Sequence, residues 1–405
     1  MPIKKGAMAT FFRLEGKPVT IVKMKSNFND QMFDLAAYAF AREKSATKVE
    51  RFEYLARNSK NYGSLAEKKL VSQIMATPFL VNFWNQTFEM RGIGYVSSYP
   101  EFRKQGRIDK LMKQVLEDSY DEGVQLAYLA PFSYPFYRRY GYETAFLQIR
   151  YEALAEKWPF GGQSHGKVSR VSFEVAQKNM AEIYQKSTES MRGGMLRAEW
   201  WFTYKFSLHK NFNFALYEEN GVKCGYVVYQ ISVDKLEIIE LVALSEKGKR
   251  SLHDFIAAHS GTVKTIHWTH PFGGTTKLLQ VLDPQVEVKI LPYMMARVVN
   301  VATFLKSFPW QEKILSDFAI EIYQDNYLPA NNGIYEIYPD GNVSKVKESL
   351  LPKIKATPQS FTQLFLGSVK IKSLQAEEKI DVTPELAYAL EKLLPSEKPL
   401  LADYF

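Results

Sequence analysis

The sequence predicts a mixed α/β fold (α+β in its segregation of helices and strands) built as three successive units. Three observations carry this. Between residues 93 and 130 an apolar strand, a basic turn, a helix and a second apolar run follow one another. That order is a βαβ unit, with two parallel strands joined by a right-handed crossover. Between residues 212 and 267 a hairpin, a long strand, a helix and a strand repeat the arrangement. From about Met294 onward, short strands parted by Asn-Gly and Asp-Gly turns alternate with short helices.

In order, Pro18 to Met24 alternates as a strand, and Phe28–Ala41 and Val49–Arg57 read as helices. Gly63–Ala66 with Lys69–Met75, then Phe79–Trp84 with Phe88–Ser98 across Asn85-Gln86, read as hairpins. Ile108, Leu111, Met112, Val115, Leu116 and Tyr120 form one apolar helix face, opposite Lys110, Lys113, Gln114, Glu117 and Asp118. Gly123 stops that helix, Val124–Ala130 is the next strand and Phe146–Tyr151 a further one. Trp158–Gln163 breaks the pattern and reads as a linker. Phe173–Ser187 and Met195–Ser207 are expected helices, and Asn220-Gly221 joins a hairpin of Phe212–Glu218 with Lys223–Ser232. Leu236–Leu244, a helix capped by Ser245 and Val263–His267 complete the second unit. In the third, Ala302–Phe308 and Phe361–Leu366 are short helices, and Ile320–Tyr323, Ile334–Tyr338 and Asn342–Val346 are strands. Thr383-Pro384 opens a last helix, to Leu394. The expected boundaries are 1–156, 157–292 and 293–405.

A chain of 405 residues with 46% apolar residues can bury ordinary cores. No apolar run is long enough to span a bilayer, and MPIKKGAMATFF has too little apolar sequence for a signal peptide. The single cysteine, Cys224, leaves no intrachain disulfide framework, suits a reducing cytoplasm and reads as a packed core thiol. Net charge is +8, spread without a basic block, so neither a nucleic-acid nor a membrane partner is expected. The six histidines lack metal-ligand spacing; His267 and His270 read as structural, and no metal is expected.

The basic turn 101–107 enters a helix through Gly106. A helix N-terminus offers unpaired N–H groups and the positive end of its dipole, which suits a phosphate or pyrophosphate. Arg103, Lys104 and Arg107 add charge, and Gly106 allows close backbone approach. The competing reading is an ordinary solvated βα loop. Arg103-x-x-Gly106 after a strand and before a helix resembles the acetyl-CoA loop of the GNAT N-acetyltransferases, with Ile108 where that pattern has Gly or Ala. An aliphatic residue there fits the Eis-like (enhanced intracellular survival) branch. Val96-Ser97-Ser98, Pro100, Phe136–Tyr142, Asn61-Tyr62-Gly63, Lys69–Gln73 and Met294–Val299 extend that resemblance over the whole chain.

The resemblance implies two tandem GNAT-like domains, the second degenerate, followed by a sterol-carrier-protein-like domain. It implies acetyl-CoA as co-substrate, bound by Val96, Ser97, Ser98, Arg103, Lys104, Gln105, Gly106, Arg107, Ile108 and Asp109. The acceptor would be a primary amine, of an aminoglycoside or polyamine, acetylated directly in a ternary complex by a cytoplasmic hexamer. Tyr137 matches the general acid, among neighbouring tyrosines that could equally be packing residues. The second unit's turn, Leu244–Gly248, carries an acid and lacks Arg-x-x-Gly, so it is not expected to hold a cofactor. Arg197, Glu199, Trp200 and Trp201 form an aromatic and charged cluster that could line a cation pocket; core packing is the favoured reading. The tail, PLLADYF, is apolar where chain ends are usually polar, so it is expected to dock. In the family it returns to the active site and the terminal carboxylate, here of Phe405, acts as base; the alternative is a hydrophobic plug. The rival function is a non-catalytic CoA sensor or lipid carrier.

Overall fold

The computed structural model describes residues 20–160, 166–273 and 285–405. The N-terminal dodecapeptide and residues 161–163 of the expected linker lie outside them. The chain begins with β1 (Thr20–Met24), α1 (Asn29–Ala39), α2 (Ala46–Arg57), β2 (Lys60–Ala66), β3 (Lys69–Phe83) and β4 (Gln86–Ser98). Then follow α3 (Arg107–Asp121), β5 (Leu126–Leu129), α4 (Tyr134–Arg138) and β6 (Glu143–Thr144). The two segments expected at 69–75 and 79–84 are one strand, β3, running through Pro78. Trp84 (φ 52°) and Asn85 (φ 67°) supply the two left-handed residues of the turn into β4. β4 pairs antiparallel with β3 and parallel with β5. One face of α3, with Leu111, Met112, Val115 and Leu116, is fully buried against this sheet.

The second unit holds β7 (Leu147–Leu154), β8 (Lys167–Val171), α5 (Phe173–Gln185), α6 (Thr188–Met191), β9 (Arg192–Leu196) and α7 (Glu199–Phe202). After α7 comes a π-helical stretch, Thr203–Ser207. The unit continues with β10 (Phe212–Glu219), β11 (Val222–Ser232), β12 (Lys235–Ala243), α8 (Glu246–Ala257), β13 (Thr265–Pro271) and β14 (Glu287–Pro292). β12, α8 and β13 repeat the parallel crossover of β4, α3 and β5. Trp158, read as linker, is instead a core residue, 7% exposed, donating from its indole nitrogen to His253. Cys224 is partly buried against this core.

Strand exchange ties the two units together. β7 leaves the first sheet and pairs antiparallel with β13 and β14 in the second. β15 (Met295–Val298) returns to the first sheet, between β5 and β6. β9 likewise pairs with β3 from Leu80 to Phe83, where β2 no longer reaches. Boundaries at 156 and 293 therefore assign β7 to the wrong sheet, and β15 as well.

The third unit contains α9 (Val301–Lys306), β16 (Phe318–Ile322), β17 (Gly333–Ile337), β18 (Val343–Val346), β19 (Lys353–Ala356), α10 (Pro358–Phe365), α11 (Ile371–Ala376), β20 (Ile380–Asp381) and α12 (Pro384–Leu393). Its sheet order is β18-β17-β16-β19-β20, with β16 and β19 parallel. The sequence reading lacked β19, α11 and β20. Phe304, Phe361 and Phe365 share one core with Phe83, Phe88 and Tyr128 of the first unit, so the third unit is packed on the first sheet. Arg297, fully buried, fixes the same junction: it pairs with Asp325 and donates to the Tyr140 carbonyl.

Candidate active site

The site is built where β4 and β5 part. Their parallel pairing runs from Met90/Leu126 to Ile93/Leu129 and stops. β4 continues to Ser98 with β3 on one side only, so residues 94–98 have an edge without a neighbouring strand. Tyr95 sits at φ 51°, within the register shift between β4 and β3. This opening leaves β4 backbone groups on that side without a strand partner. Ser97 and Ser98 are buried; their hydroxyls are engaged with the Tyr95 carbonyl and with Ser72 Oγ (2.7 Å). Val96 is half-buried beside them.

The turn after β4 leads to α3. Gly106 is the residue before α3, at φ 70°, and a Cβ added to it would meet nothing within 4 Å. Lys104 also has a positive φ, 59°. Lys104 and Gln105 are exposed; Arg103 is exposed with Nε donating to the Ser98 carbonyl (3.3 Å). The sequence treats Arg103 and Arg107 alike, but the structure separates them. Arg107 is 8% exposed, donates to Ser64 Oγ (2.8 Å) and lies over the Phe102 ring. Its guanidinium is committed to bracing the turn against β2. Ile108 packs into the α3 core, and Asp109 accepts a hydrogen bond from Tyr327 of the third unit. The three-residue cradle of Arg103, Lys104 and Gln105 thus faces solvent at the helix entrance, with Arg107, Ile108 and Asp109 supporting it.

Tyr137 lies on α4, just beyond β5, 2% exposed and ringed by Phe132, Phe136 and Tyr142 at 5.3, 5.1 and 6.4 Å. The Arg138–Glu143 ion pair (2.7 Å) and the Arg297 bond to Tyr140 hold this turn. Burial raises the Tyr137 phenol, and the hydroxyls of Tyr142, Tyr140 and Tyr404 raise it further, so it stays protonated.

The tail is docked. Leu400, Leu401, Asp403 and Phe405 are buried, while Tyr404 is 61% exposed. Leu400 N–H donates to Arg192 O, and Tyr293 Oη donates to Asp403 O (2.7 Å). Asp403 accepts from Arg197 Nε (3.0 Å), Trp201 Nε1 (2.8 Å) and Lys205 Nζ (3.1 Å). Glu240 takes the other guanidinium nitrogens of Arg197 and also Lys205; these cations hold its carboxyl down near 2 against burial. The Arg197–Trp201 cluster therefore belongs to the buried tail anchor. The Phe405 ring lies against Phe79 (5.3 Å), and a Cβ on Gly92 would come 2.7 Å from it. A Cβ on Gly94 would be 3.4 Å from the Phe405 backbone carbonyl carbon. So the backbone carbonyl of Phe405 rests on β4 at the first residue beyond its pairing with β5. The glycines at 92 and 94 were the available signal for this contact, and sequence reading passed over them.

His267 pairs with Glu152 (3.4 Å) and His270 stacks on Trp268 (4.0 Å). Among the described residues no group of three His, Cys, Asp or Glu could hold a metal ion, and no helix is long and apolar enough to cross a membrane.

Three parts of the chain match known domain families. Residues 20–145 and 193–298 each match an acetyltransferase (GNAT) domain, and residues 301–402 match a sterol carrier protein domain. A crystal structure from Enterococcus faecalis V583, described as a conserved protein of unknown function and probable N-acyltransferase, is 39% identical. The alignment covers 96% of this chain and 100% of that one, with a TM-score of 0.90. A GCN5-related N-acetyltransferase from Anabaena variabilis ATCC 29413 shares the fold at 18% identity, TM-score 0.84, over 96% of this chain and 100% of the other. Eis1 from Mycobacterium abscessus does so at 19% identity, TM-score 0.77, over 95% and 100%. No curated protein matches the sequence.

Proposed function

From a chain that belongs to the Eis-like GNAT acyltransferases, with two GNAT domains and a sterol carrier protein domain, we propose an enzyme that moves the acetyl group of acetyl-CoA directly to a primary amine. Acetyl-CoA supplies the acyl group as a thioester. Val96, Ser97 and Ser98 offer backbone along the free edge of β4, and Arg103, Lys104, Gln105 and Gly106 offer charge and N–H groups to its phosphates, with Arg107, Ile108 and Asp109 fixing that turn. The open space at Gly106 and the unpaired edge of β4 fit such a ligand.

The observation that carries the reading is the backbone carbonyl of Phe405 lying on Gly94, which as a chain end would be a carboxylate there. A carboxylate, with an ordinary pKa of about 3.3–3.7 for a chain end, is charged at neutral pH. It can hold an ammonium, accept its proton directly or through water, and free the lone pair for attack on the thioester carbon. Tyr137, held protonated, donates a hydrogen bond to the sulfur as the C–S bond breaks. Thiols ordinarily titrate near 8.5, below a phenol, so the hydrogen bond matters more than complete proton transfer. Aminoglycosides and polyamines are the acceptors the resemblance implies. Assembly as a hexamer in the cytoplasm is proposed on the same ground.

The test supplies acetyl-CoA and an amine panel to the full chain and follows free CoA with a thiol reagent. Release that depends on amine supports the reading; CoA binding without release favours a CoA sensor. Adding two residues after Phe405 moves the carboxylate and keeps the apolar anchors. Turnover should fall at unchanged melting temperature; unchanged turnover would make Phe405 an anchor alone.

A further inference from the structure

One side chain of the third unit touches both sides of the cleft where β4 and β5 part. Tyr327, half-buried, packs its ring on Tyr140 (centroids 4.6 Å apart), in the turn after β5 that carries Tyr137. Its hydroxyl donates to Asp109 Oδ1, in the first turn of α3, the helix that follows β4. The segment that presents Tyr327 is fixed on both sides of it. The Asp325 carboxylate accepts from Arg297 Nη2 (2.6 Å), from Asn331 Nδ2 (3.0 Å) and from the Leu328 N–H (2.9 Å). The Asp325 N–H donates to Asn332 Oδ1 (2.9 Å). Leu328, 3% exposed, sits in one core with Leu111 of α3 and Tyr140. Arg297 also donates to the Tyr140 carbonyl, so Tyr140 is held at its backbone and at its ring by the same junction.

Asp109 is the acid of the α3 first turn. The helix dipole favours an acid there, and for the same reason that acid competes with a bound phosphate for the positive helix end. Among the described residues Asp109 has no ion pair, and a hydrogen bond to a charged acceptor is stronger than a neutral one. The bond from Tyr327 therefore holds the carboxylate toward the third unit. Arg139, beside Tyr140, is engaged with the Tyr140 hydroxyl (2.6 Å) and lies over the Phe136 ring (4.2 Å). The space at Gly106 stays open, with nothing within 4 Å of where its Cβ would be.

We propose that Tyr327 is a positioning residue of the acetyl-CoA site: it holds the Asp109 carboxylate away from the phosphate cradle and, through Tyr140, sets the α3 entrance against the Tyr137 turn. The third unit thereby contributes to cofactor affinity in the first. This rests on the N-acetyltransferase reading.

The experiment titrates the full chain with acetyl-CoA by calorimetry and follows turnover by CoA release with an amine panel. Tyr327→Phe keeps the ring on Tyr140 and frees the carboxylate. It should weaken acetyl-CoA binding by about three-fold or more, with the loss falling on KM for acetyl-CoA rather than on kcat. The loss should shrink at high salt, which screens repulsion between exposed charges. Adding Asp109→Asn to Tyr327→Phe should recover most of the affinity, because the repelling charge is gone. A bond that serves stability alone behaves differently: its removal lowers the melting temperature, and Asp109→Asn rescues nothing. Equal affinity in Tyr327→Phe, or a loss that Asp109→Asn leaves in place, overturns the inference and leaves the acetyltransferase reading standing. If the parent chain does not bind acetyl-CoA, that reading fails, and the inference with it.

Discussion

At the scale of single residues, Gly106 and Tyr137 make separable demands. Gly106 is left-handed, at φ 70°, yet has open space where a Cβ would be. The protein itself therefore imposes only a conformational cost on a side chain there, about 1–2 kcal/mol. Asparagine tolerates that conformation better than most residues, and valine tolerates it poorly. Gly106→Asn and Gly106→Val should both keep the core. If close approach of phosphate matters, calorimetry will show both binding acetyl-CoA more weakly; if conformation alone matters, only valine will. Tyr137→Phe removes one oxygen from a buried ring and should leave melting and CoA affinity nearly unchanged. Turnover should fall by about 10²–10³-fold, the usual loss when one hydrogen-bond donor to developing charge is removed. Tyr134→Phe is the control, and an equal loss there would move the role to the neighbour. Arg107 shows where residue-level legibility ended: charge near a helix start is visible in sequence, but its commitment to Ser64, 43 positions earlier, is not.

At the scale of elements, local pattern is readable at tight turns and at some helix starts. The Asn220-Gly221 hairpin formed because both residues take positive φ, 52° and 79°. Ser245 and Thr383 cap their helices as expected, and Ser45, Asn300 and Thr357, not named as caps from the sequence, do the same. The helix expected from Met195 to Ser207 failed in its first part. Arg192–Leu196 is a strand because β3 has an unpaired stretch beyond β2, and Gly193 and Gly194 fit a tight path beside it. A Cβ on Gly194 would come 2.1 Å from the Glu189 carbonyl, so only glycine suits that approach. The tail's apolar residues announced docking, but its anchor is ionic and came from afar: Asp403 meets Arg197 and Lys205. Breaking such a buried pair from one side commonly costs about 3–5 kcal/mol. Asp403→Ala should therefore lower the melting temperature and free the tail together, with turnover lost even though Phe405 is intact. Turnover retained after Asp403→Ala would separate the anchor from the catalytic role of the carboxylate.

At the scale of the whole molecule, the two GNAT units are not independent, and sequence could not show it. β7 alternates buried and exposed residues in the same way whichever sheet receives it, so its pattern carries no address. The natural cut after residue 156 follows the break at Trp158, yet it severs each sheet from a strand. Leu126 on β5 pairs with Val298, far along the chain, and without β15 the β5 edge of the first sheet would be open. Meanwhile β7 in such a fragment would have neither β13 nor β14 to pair with. The isolated fragment 1–156 should thus expose two unpaired edges together with the apolar faces of Tyr128 and Phe146, and lose Arg297, which braces the Tyr137 turn. It is expected to aggregate or to melt without cooperativity, and not to bind acetyl-CoA. A fragment ending after β15 restores both exchanges, though it lacks the third unit that covers Phe83 and Phe88. It should recover cooperative melting in part, in a single transition for both sheets, because neither can unfold without withdrawing a strand from the other. Scanning calorimetry distinguishes the outcomes. Two separate transitions in the longer fragment, or a cooperative melt with acetyl-CoA binding in 1–156, would mean that the exchanged strands are an ornament of the fold, not the bond between its halves.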